Sequence, residues 1–173
     1  QRSSGRYETF SLPFCSRKET LVSTLLQFQR RFRYHAWAGA CLVEAVSATP
    51  VAAACRPLAH LLAADHVWHA RLTGAEPRVA IWPDLDAEGC RQLWRETTTR
   101  WRTFLDRADL DTTVRYQNSR GIPFETPVAD VLDHVLLHAA HHRGQVNTAL
   151  RAAGAEPPWV DLIAWLREGE PTP

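Results

Sequence analysis

The longest unbroken helical pattern in the chain covers residues 19–48, which contain no proline and a single glycine. Large apolar residues such as Leu25, Phe28 and Phe32 recur there at three- and four-residue intervals, the spacing of one helix face. The pattern stops before Pro50, which cannot continue a helix. A first helix of this length directs the whole chain towards a helical fold.

Further helical stretches follow, separated by proline- and glycine-containing loops. The expected helices run from about Pro57 to Thr73, from a cap at Asp84 or Asp86 to about Ala108, from Val128 to about Ala153, and over the short segment WVDLIAWLRE after Pro157 and Pro158.

The segment TTVRYQNSRGIPFETP, which lies before the fourth long helix, has a different character. Strand-forming residues flank the turn residues 118–121, so the sequence predicts a short hairpin there. The predicted fold is all-α: an antiparallel four-helix bundle with a short C-terminal helix and a small hairpin before the fourth helix. Residues 1–18 are expected to form an irregular lead-in, and residues 19–170 a single bundle domain.

Composition excludes several functional classes. The 173 residues carry 20 Lys and Arg against 19 Asp and Glu, so the chain lacks the positive field of a nucleic-acid binder. No apolar run approaches the roughly 20 residues that cross a bilayer. Residues 1–20 are too polar for a secretory signal, and the four cysteines are widely spaced. We therefore expect a cytoplasmic protein with reduced thiols, no membrane association and no nucleic-acid partner.

Histidine is the most informative residue type, because four of the eight lie within HVLLHAAHHRGQV in the fourth helix. On a helical wheel, His138 lies about 40° and His142 about 80° from His134. The apolar stripe of this helix centres at about 100°, so His138 and His142 lie closest to the core. His134 and His141 lie further towards its edge.

A third ligand must come from another helix if one metal ion is to be held. In the second helix, His60 shares a face with small apolar residues that suit a bundle interior. His69 lies about 180° away from it, and His66, next to Asp65, is a weaker competitor. The predicted metal ligands are His60, His138 and His142, with water or substrate completing the coordination. The alternative is a stack of hydrogen-bonded imidazoles that senses pH or has no function.

With these residues assembled, the chain resembles the DinB/YfiT-like family of metal-binding four-helix bundles. The strongest match is HAAHHRGQV in the fourth helix. Supporting matches are YHAWAGACL in the first helix, AHLLAADHVWHARLTG in the second, and DLIAWLRE near the end. The resemblance implies a divalent metal held by three histidines, here His60, His138 and His142, in agreement with the wheel argument.

The resemblance also implies an activity, a metal-dependent thiol S-transferase in which a low-molecular-weight thiol attacks an electrophile, and a homodimer. A metal with an open coordination position lowers the pKa of a thiol. Three imidazoles suit Zn²⁺, Ni²⁺, Fe²⁺ or Mn²⁺. The alternatives are a metal- or small-ligand-binding bundle without turnover, and a metal-free structural module.

Residues around the predicted site also receive roles. Gln145 is placed to hydrogen-bond a ligand imidazole or a metal-bound water. Arg143 points away from the ligands and is expected to pair with a carboxylate or to fix the next helix. The loop 75–85, which contains Ile81 and Trp82, is expected to cover the site opening. No cysteine lies beside the ligands in sequence, so a protein thiolate nucleophile is not expected.

Overall fold

The computed structural model describes residues 17–49 and 51–173, with side chains from residue 24 onward. It is mostly helical, as expected from the periodicity. The elements are α1 (Arg17–Ala48), α2 (Ala52–Thr73), α3 (Ala87–Leu105), β1 (Thr113–Gln117), β2 (Pro123–Pro127), α4 (Val128–Ala152) and α5 (Leu162–Arg167). Most of the predicted lead-in, residues 1–16, lies outside the described residues.

The four long helices pack on one another so that each touches two principal neighbours. Helix α2 packs against α4 and α3, while α1 packs against α3 and α4. Two groups of buried apolar side chains fill the interior. One is built around Leu42, Leu58 and Leu150, and the other around Phe32, Trp101 and Leu132. Along α4, the segment between Val135 and Val146 passes from the second group to the first.

Helix α2 begins at Ala52, five residues earlier than the expected start at Pro57. Pro57 lies inside the helix and cannot donate to the carbonyl of Ala53 four residues before it. Ala53 is exposed, so water can satisfy this carbonyl, and the helix tolerates a proline near its N-terminus. The helix ends as predicted at Thr73, where Gly74 adopts the left-handed conformation (φ 68°) that a helix C-cap favours.

The predicted hairpin is present. Strands β1 and β2 pair antiparallel, with Tyr116 opposite Phe124. The side chain of Asn118 closes the turn by accepting hydrogen bonds from the backbone N–H groups of Arg120 (2.8 Å) and Ile122 (3.1 Å). The guanidinium of Arg71 in α2 lies 4.9 Å from the centre of the Tyr116 ring, which attaches the hairpin to the helices.

The last helix is shorter than predicted, because it begins at Leu162 and not directly after Pro158. Asp161 keeps an extended backbone (ψ 141°). The preceding residue, Val160, accepts a 2.6 Å hydrogen bond through its carbonyl from the Tyr34 hydroxyl of α1. This contact holds the segment against α1 before the helix starts. No helix among the described residues is long and apolar enough to cross a membrane.

The structure distinguishes the two candidate caps of α3. The Asp86 carboxylate accepts a 2.8 Å hydrogen bond from the backbone N–H of Gly89, whereas Asp84 lies two residues before the cap position. We expect Asp86→Ala to lower the free energy of unfolding by about 1 kcal/mol, the usual value of such a cap. Asp84→Ala, also at an exposed position, is expected to change it by less than about 0.5 kcal/mol. Urea denaturation of both variants measures this, and equal losses would contradict the assignment of the cap.

Candidate metal centre

His138 and His142 lie one helical turn apart on α4, so their imidazoles project from the same side of the helix. Their Nε2 atoms face each other at 3.1 Å. Two ligand nitrogens of a tetrahedral zinc site are separated by roughly 3.3 Å, since each Zn–N bond is about 2.0–2.1 Å long. The pair on α4 is therefore already spaced as two ligands of a single ion would be.

His60 approaches this pair from α2, the helix that packs against α4. Its ring centre lies 4.6 Å from that of His142 and 5.3 Å from that of His138. One ring nitrogen from each of the three histidines lies within 4.8 Å of the other two. The structure thus brings together the three residues that the sequence singled out, with His60 and His142 buried and His138 partly buried.

The other ring nitrogen of two of these histidines is already engaged. The Nδ1–H group of His60 donates to the backbone carbonyl of Ile81, and that of His142 donates to the side-chain carbonyl of Gln145, both at 2.7 Å. A proton on Nδ1 leaves a lone pair on Nε2. Hydrogen bonds of this kind fix the tautomer and orientation of metal-ligating imidazoles.

Gln145 also contacts a second histidine. Its amide nitrogen donates to Nε2 of His141 at 2.9 Å, so the orientation of the amide is set from both ends. The carbonyl oxygen is consequently held towards His142. The structure thus contains the hydrogen bond expected between Gln145 and one of the three histidines, His142.

The surroundings of His138 and His142 favour the neutral form of both imidazoles. Burial, together with the neighbouring imidazoles of His142 and His60, lowers the pKa of His138 to about 4. Burial also lowers the pKa of His142 below its ordinary value of 6.5. Neutral imidazole is the protonation state that binds a metal. Three convergent imidazole nitrogens fit a borderline-soft divalent ion.

Trp82 forms one wall of the site, as expected for the loop 75–85. Its ring stacks on that of His60, with the ring centres 3.6 Å apart and the planes 8° from parallel. The same loop also contacts His60 through the backbone carbonyl of Ile81, which accepts the hydrogen bond from its ring. Trp82 is 55% exposed, so it stands between the histidines and solvent.

The remaining histidines of α2 and α4 lie outside the three-histidine group. His66 is buried, and its Nε2 accepts from the backbone N–H of Arg78 at 3.2 Å. His69 packs edge-on against Trp101. His134 packs against Trp68, and His141 is exposed. Of the two competing histidines of α2, the structure places His60, and not His66, beside His138 and His142.

A buried polar network that the sequence analysis missed lies behind α4. His35 Nε2 is 2.7 Å from Oδ2 of Asp65, and Arg143 Nη1 is 3.3 Å from Nδ1 of His35. The guanidinium of Arg143 also lies over the Tyr34 ring, 5.1 Å from its centre. Among the described residues, Arg143 is therefore linked to the Asp65 carboxylate through His35, and its side chain contacts α1.

One signal for this network was available in the sequence. Asp65 interrupts the otherwise apolar stretch LLAADHVW, and a carboxylate on a buried helix face requires a partner. The identity of that partner depends on how α1 and α4 pack against α2, which helical periodicity does not specify.

The cysteines for which side chains are described offer no activated thiol. Cys41 and Cys55 are partly buried, Cys90 is fully buried, and all three are free thiols. Burial raises the pKa of each of them, that of Cys90 to about 12. None belongs to the three-histidine group. Cys15 lies outside the described residues.

The raised pKa of Cys90 predicts slow alkylation. At pH 9 only about one Cys90 thiol in a thousand would be ionised, against about half in an unfolded chain with the ordinary pKa of 9.0, and the thiolate is the reactive form. Iodoacetamide should therefore label Cys90 in guanidinium chloride but hardly at all in the native protein. Mass spectrometry of the peptides measures this, with the partly exposed Cys55 as internal reference. Equal alkylation rates of Cys90 in the native and the denatured protein would contradict the raised pKa of this thiol.

Comparison with known proteins gives one match. The sequence model of the DinB family matches residues 44–171, well over half of the chain. The matched range contains all three histidines of the group, together with Gln145 and Arg143. No curated protein and no solved structure matches the chain.

Proposed function

Because this chain belongs to the DinB family, we propose that His60, His138 and His142 bind one divalent metal ion inside an antiparallel four-helix bundle. We further propose that the metal centre activates a low-molecular-weight thiol for transfer to an electrophile, as in a thiol S-transferase. The observation that carries the proposal is the convergence of three imidazoles, two of which, His60 and His142, have their outer nitrogens held by Ile81 and Gln145.

The donor set narrows the metal to a few ions. Three neutral imidazoles without a carboxylate or thiolate suit Zn²⁺, Ni²⁺, Fe²⁺ or Mn²⁺, and availability decides among them. They do not suit Ca²⁺ or Mg²⁺, which prefer oxygen ligands. Neutral ligands also leave the full charge of the ion in place. An ion held in this way, with a position open, lowers the pKa of a thiol that binds there.

The protein's own residues orient the site and limit its access. Gln145 and the Ile81 carbonyl keep the ligand lone pairs directed at one point. Trp82 shields His60 from solvent and narrows the approach for a substrate. The described cysteines lie outside the group, and burial raises their pKa values, so we assign the role of nucleophile to a small-molecule thiol from solution.

The same geometry supports a second function, in which the protein binds a metal or a small ligand without turnover. Both functions require the three histidines, and only catalysis requires rate acceleration. A metal-free structural module, the third hypothesis, requires neither. Cytoplasmic location and a homodimer remain predictions, the first supported by free thiols at Cys41, Cys55 and Cys90 and the second by the family resemblance.

Metal content tests the site directly. We expect the untagged protein, incubated with Zn²⁺ or Ni²⁺ and desalted, to retain about one equivalent, and His138→Ala to retain little, because two imidazoles bind much more weakly than three. Elemental analysis measures the content. Bound metal should also raise the melting temperature of the parent, since a ligand of the folded state stabilises it.

His134→Ala is the matched control, because it removes an imidazole from the same helix one turn before His138. It should retain about one equivalent. Gln145→Ala should retain the site but weaken metal affinity by about 10- to 100-fold, as loss of a partner of a ligand imidazole usually does. No metal in the parent protein, or equal loss in His134→Ala and His138→Ala, would rule out the assigned ligands.

Catalysis is tested with 1-chloro-2,4-dinitrobenzene and a panel comprising cysteine, coenzyme A and glutathione. The thiol sulfur bonds to the ring carbon, chloride leaves, and the thiol proton passes to water. With at least one thiol, the reaction rate with metal-loaded protein should exceed the rate with EDTA-treated protein by about tenfold or more. The reason is that a lowered thiol pKa supplies more thiolate at pH 7. His138→Ala should match the EDTA-treated protein.

Cobalt-loaded protein gives an independent measure of thiol binding. A cobalt–sulfur absorption band on addition of the thiol, without any rate increase, would leave the non-catalytic function standing. If neither a band nor a rate increase occurred with a protein that retains its metal, the thiol-transferase proposal would be wrong.

A further inference from the structure

A guanidinium lies close to the three-histidine group, next to the tryptophan that separates the group from solvent. Arg56 and His60 are four residues apart on α2, so their side chains leave the same side of the helix, about 6 Å apart along its axis. Cζ of Arg56 lies over the Trp82 ring, 5.7 Å from its centre, and Trp82 also stacks on His60. The side chain that stands between the histidines and solvent therefore has a positive charge beside it.

The charge of Arg56 has no carboxylate partner within the described part of the chain. The ion pairs found there involve other basic residues. Asp84 and Asp86 follow Trp82 closely in sequence, but neither pairs with Arg56, and Asp86 caps α3 instead. Since Arg56 is also exposed, its N–H donors are available to an acceptor that arrives from solution.

The surroundings of Arg56 indicate what kind of acceptor fits. Contact with an aromatic ring restrains a guanidinium without using its hydrogen-bond donors. Imidazole ligands bring no negative charge to a bound divalent ion, and Arg56 adds a further positive charge one helical turn away. A ligand that spans both positions is therefore favoured when both of its ends are anionic. A carboxylate suits the Arg56 end, because its two oxygens match the guanidinium fork.

On the basis of the function proposed above for the metal centre, we propose that Arg56 determines the specificity for the thiol by binding a carboxylate on it. The substrate class is then an anionic thiol. Its sulfur is directed at the three histidines, and its carboxylate, about one helical turn of 5.4 Å away, is directed at Arg56. The chain between them lies against Trp82. A neutral thiol of the same length lacks the second contact.

Two thiols of equal length, 4-mercaptobutyrate and 4-mercaptobutanamide, are matched probes. They differ in the charge of the group that would meet Arg56. In cobalt-loaded protein, the cobalt–sulfur absorption band reports the Kd of each thiol, so the readout is affinity and not activity. Arg56→Gln should raise the Kd of the carboxylate about three- to tenfold, the range expected for a partly exposed charge-assisted contact. It should leave the Kd of the amide unchanged.

Comparing the parent with the variant cancels any difference between the two thiols in their intrinsic affinity for cobalt. Arg120→Gln is the matched control, because it removes the same charge from the exposed tip of the hairpin. Both Kd values should then equal those of the parent. Arg56→Lys keeps the charge and loses the planar fork, so its preference for the carboxylate should lie between those of the parent and Arg56→Gln. All three variants should retain about one equivalent of cobalt, since neither arginine belongs to the three-histidine group.

The amide probe distinguishes failure of this proposal from failure of the thiol function. If Arg56→Gln weakened the binding of both thiols equally, or of neither, Arg56 would not recognise the carboxylate, and the thiol function of the metal centre would stand. If neither thiol gave a cobalt–sulfur band in protein that retains cobalt, thiol binding itself would be contradicted, and this proposal with it.

Discussion

A carboxylate buried on the apolar face of α2 is the constraint around which the helices are arranged. Asp65 is 2% exposed, and an unpartnered charge at that depth would cost several kcal/mol. The neighbouring helices compensate it, α1 by contributing His35 and α4 by contributing Arg143. The network therefore fixes the positions of three helices relative to one another. It also fixes the rotation of α4, because Arg143 must face α1.

The rotation of α4 determines where its histidines point. Consecutive helical residues are about 100° apart, so when Arg143 faces α1, His142 is turned towards α2 and meets His60 there. His138 lies one turn earlier on the same face of α4, so its side chain points in the same direction as that of His142. The geometry of the candidate metal centre is in this sense a consequence of the buried charge.

Much of this arrangement could be predicted from the sequence, because helical periodicity determines which residues share a face. The wheel placed His138 and His142 at the border of the core, and it separated His60 from His69. It also placed Gln145 near the ligand imidazoles, one turn from His142. These relations lie within single helices or on faces that small apolar residues mark as internal. They depend on local geometry alone.

The remaining features depend on contacts between elements. The hydrogen-bond partner of His60 is a backbone carbonyl in an irregular loop. Because every residue has such a carbonyl, the side chain at position 81 does not predict this contact. The pairing of Asp65 with His35 depends on how two helices pack. The choice of Asp86 over Asp84 as the cap depends on two residues of loop path.

The two halves of the candidate metal centre differ in how firmly they are held. His138 and His142 lie on one helix, and Gln145 of that helix fixes the His142 ring, so their spacing is built into α4. His60 is oriented by the loop that carries Ile81 and Trp82, and its ring centre lies further from both partners than theirs lie from each other. An ion bound by the proposed ligands would therefore be accommodated mainly by movement of His60. Because Trp82 stacks on that ring, the same adjustment would move the residue that stands between the histidines and solvent.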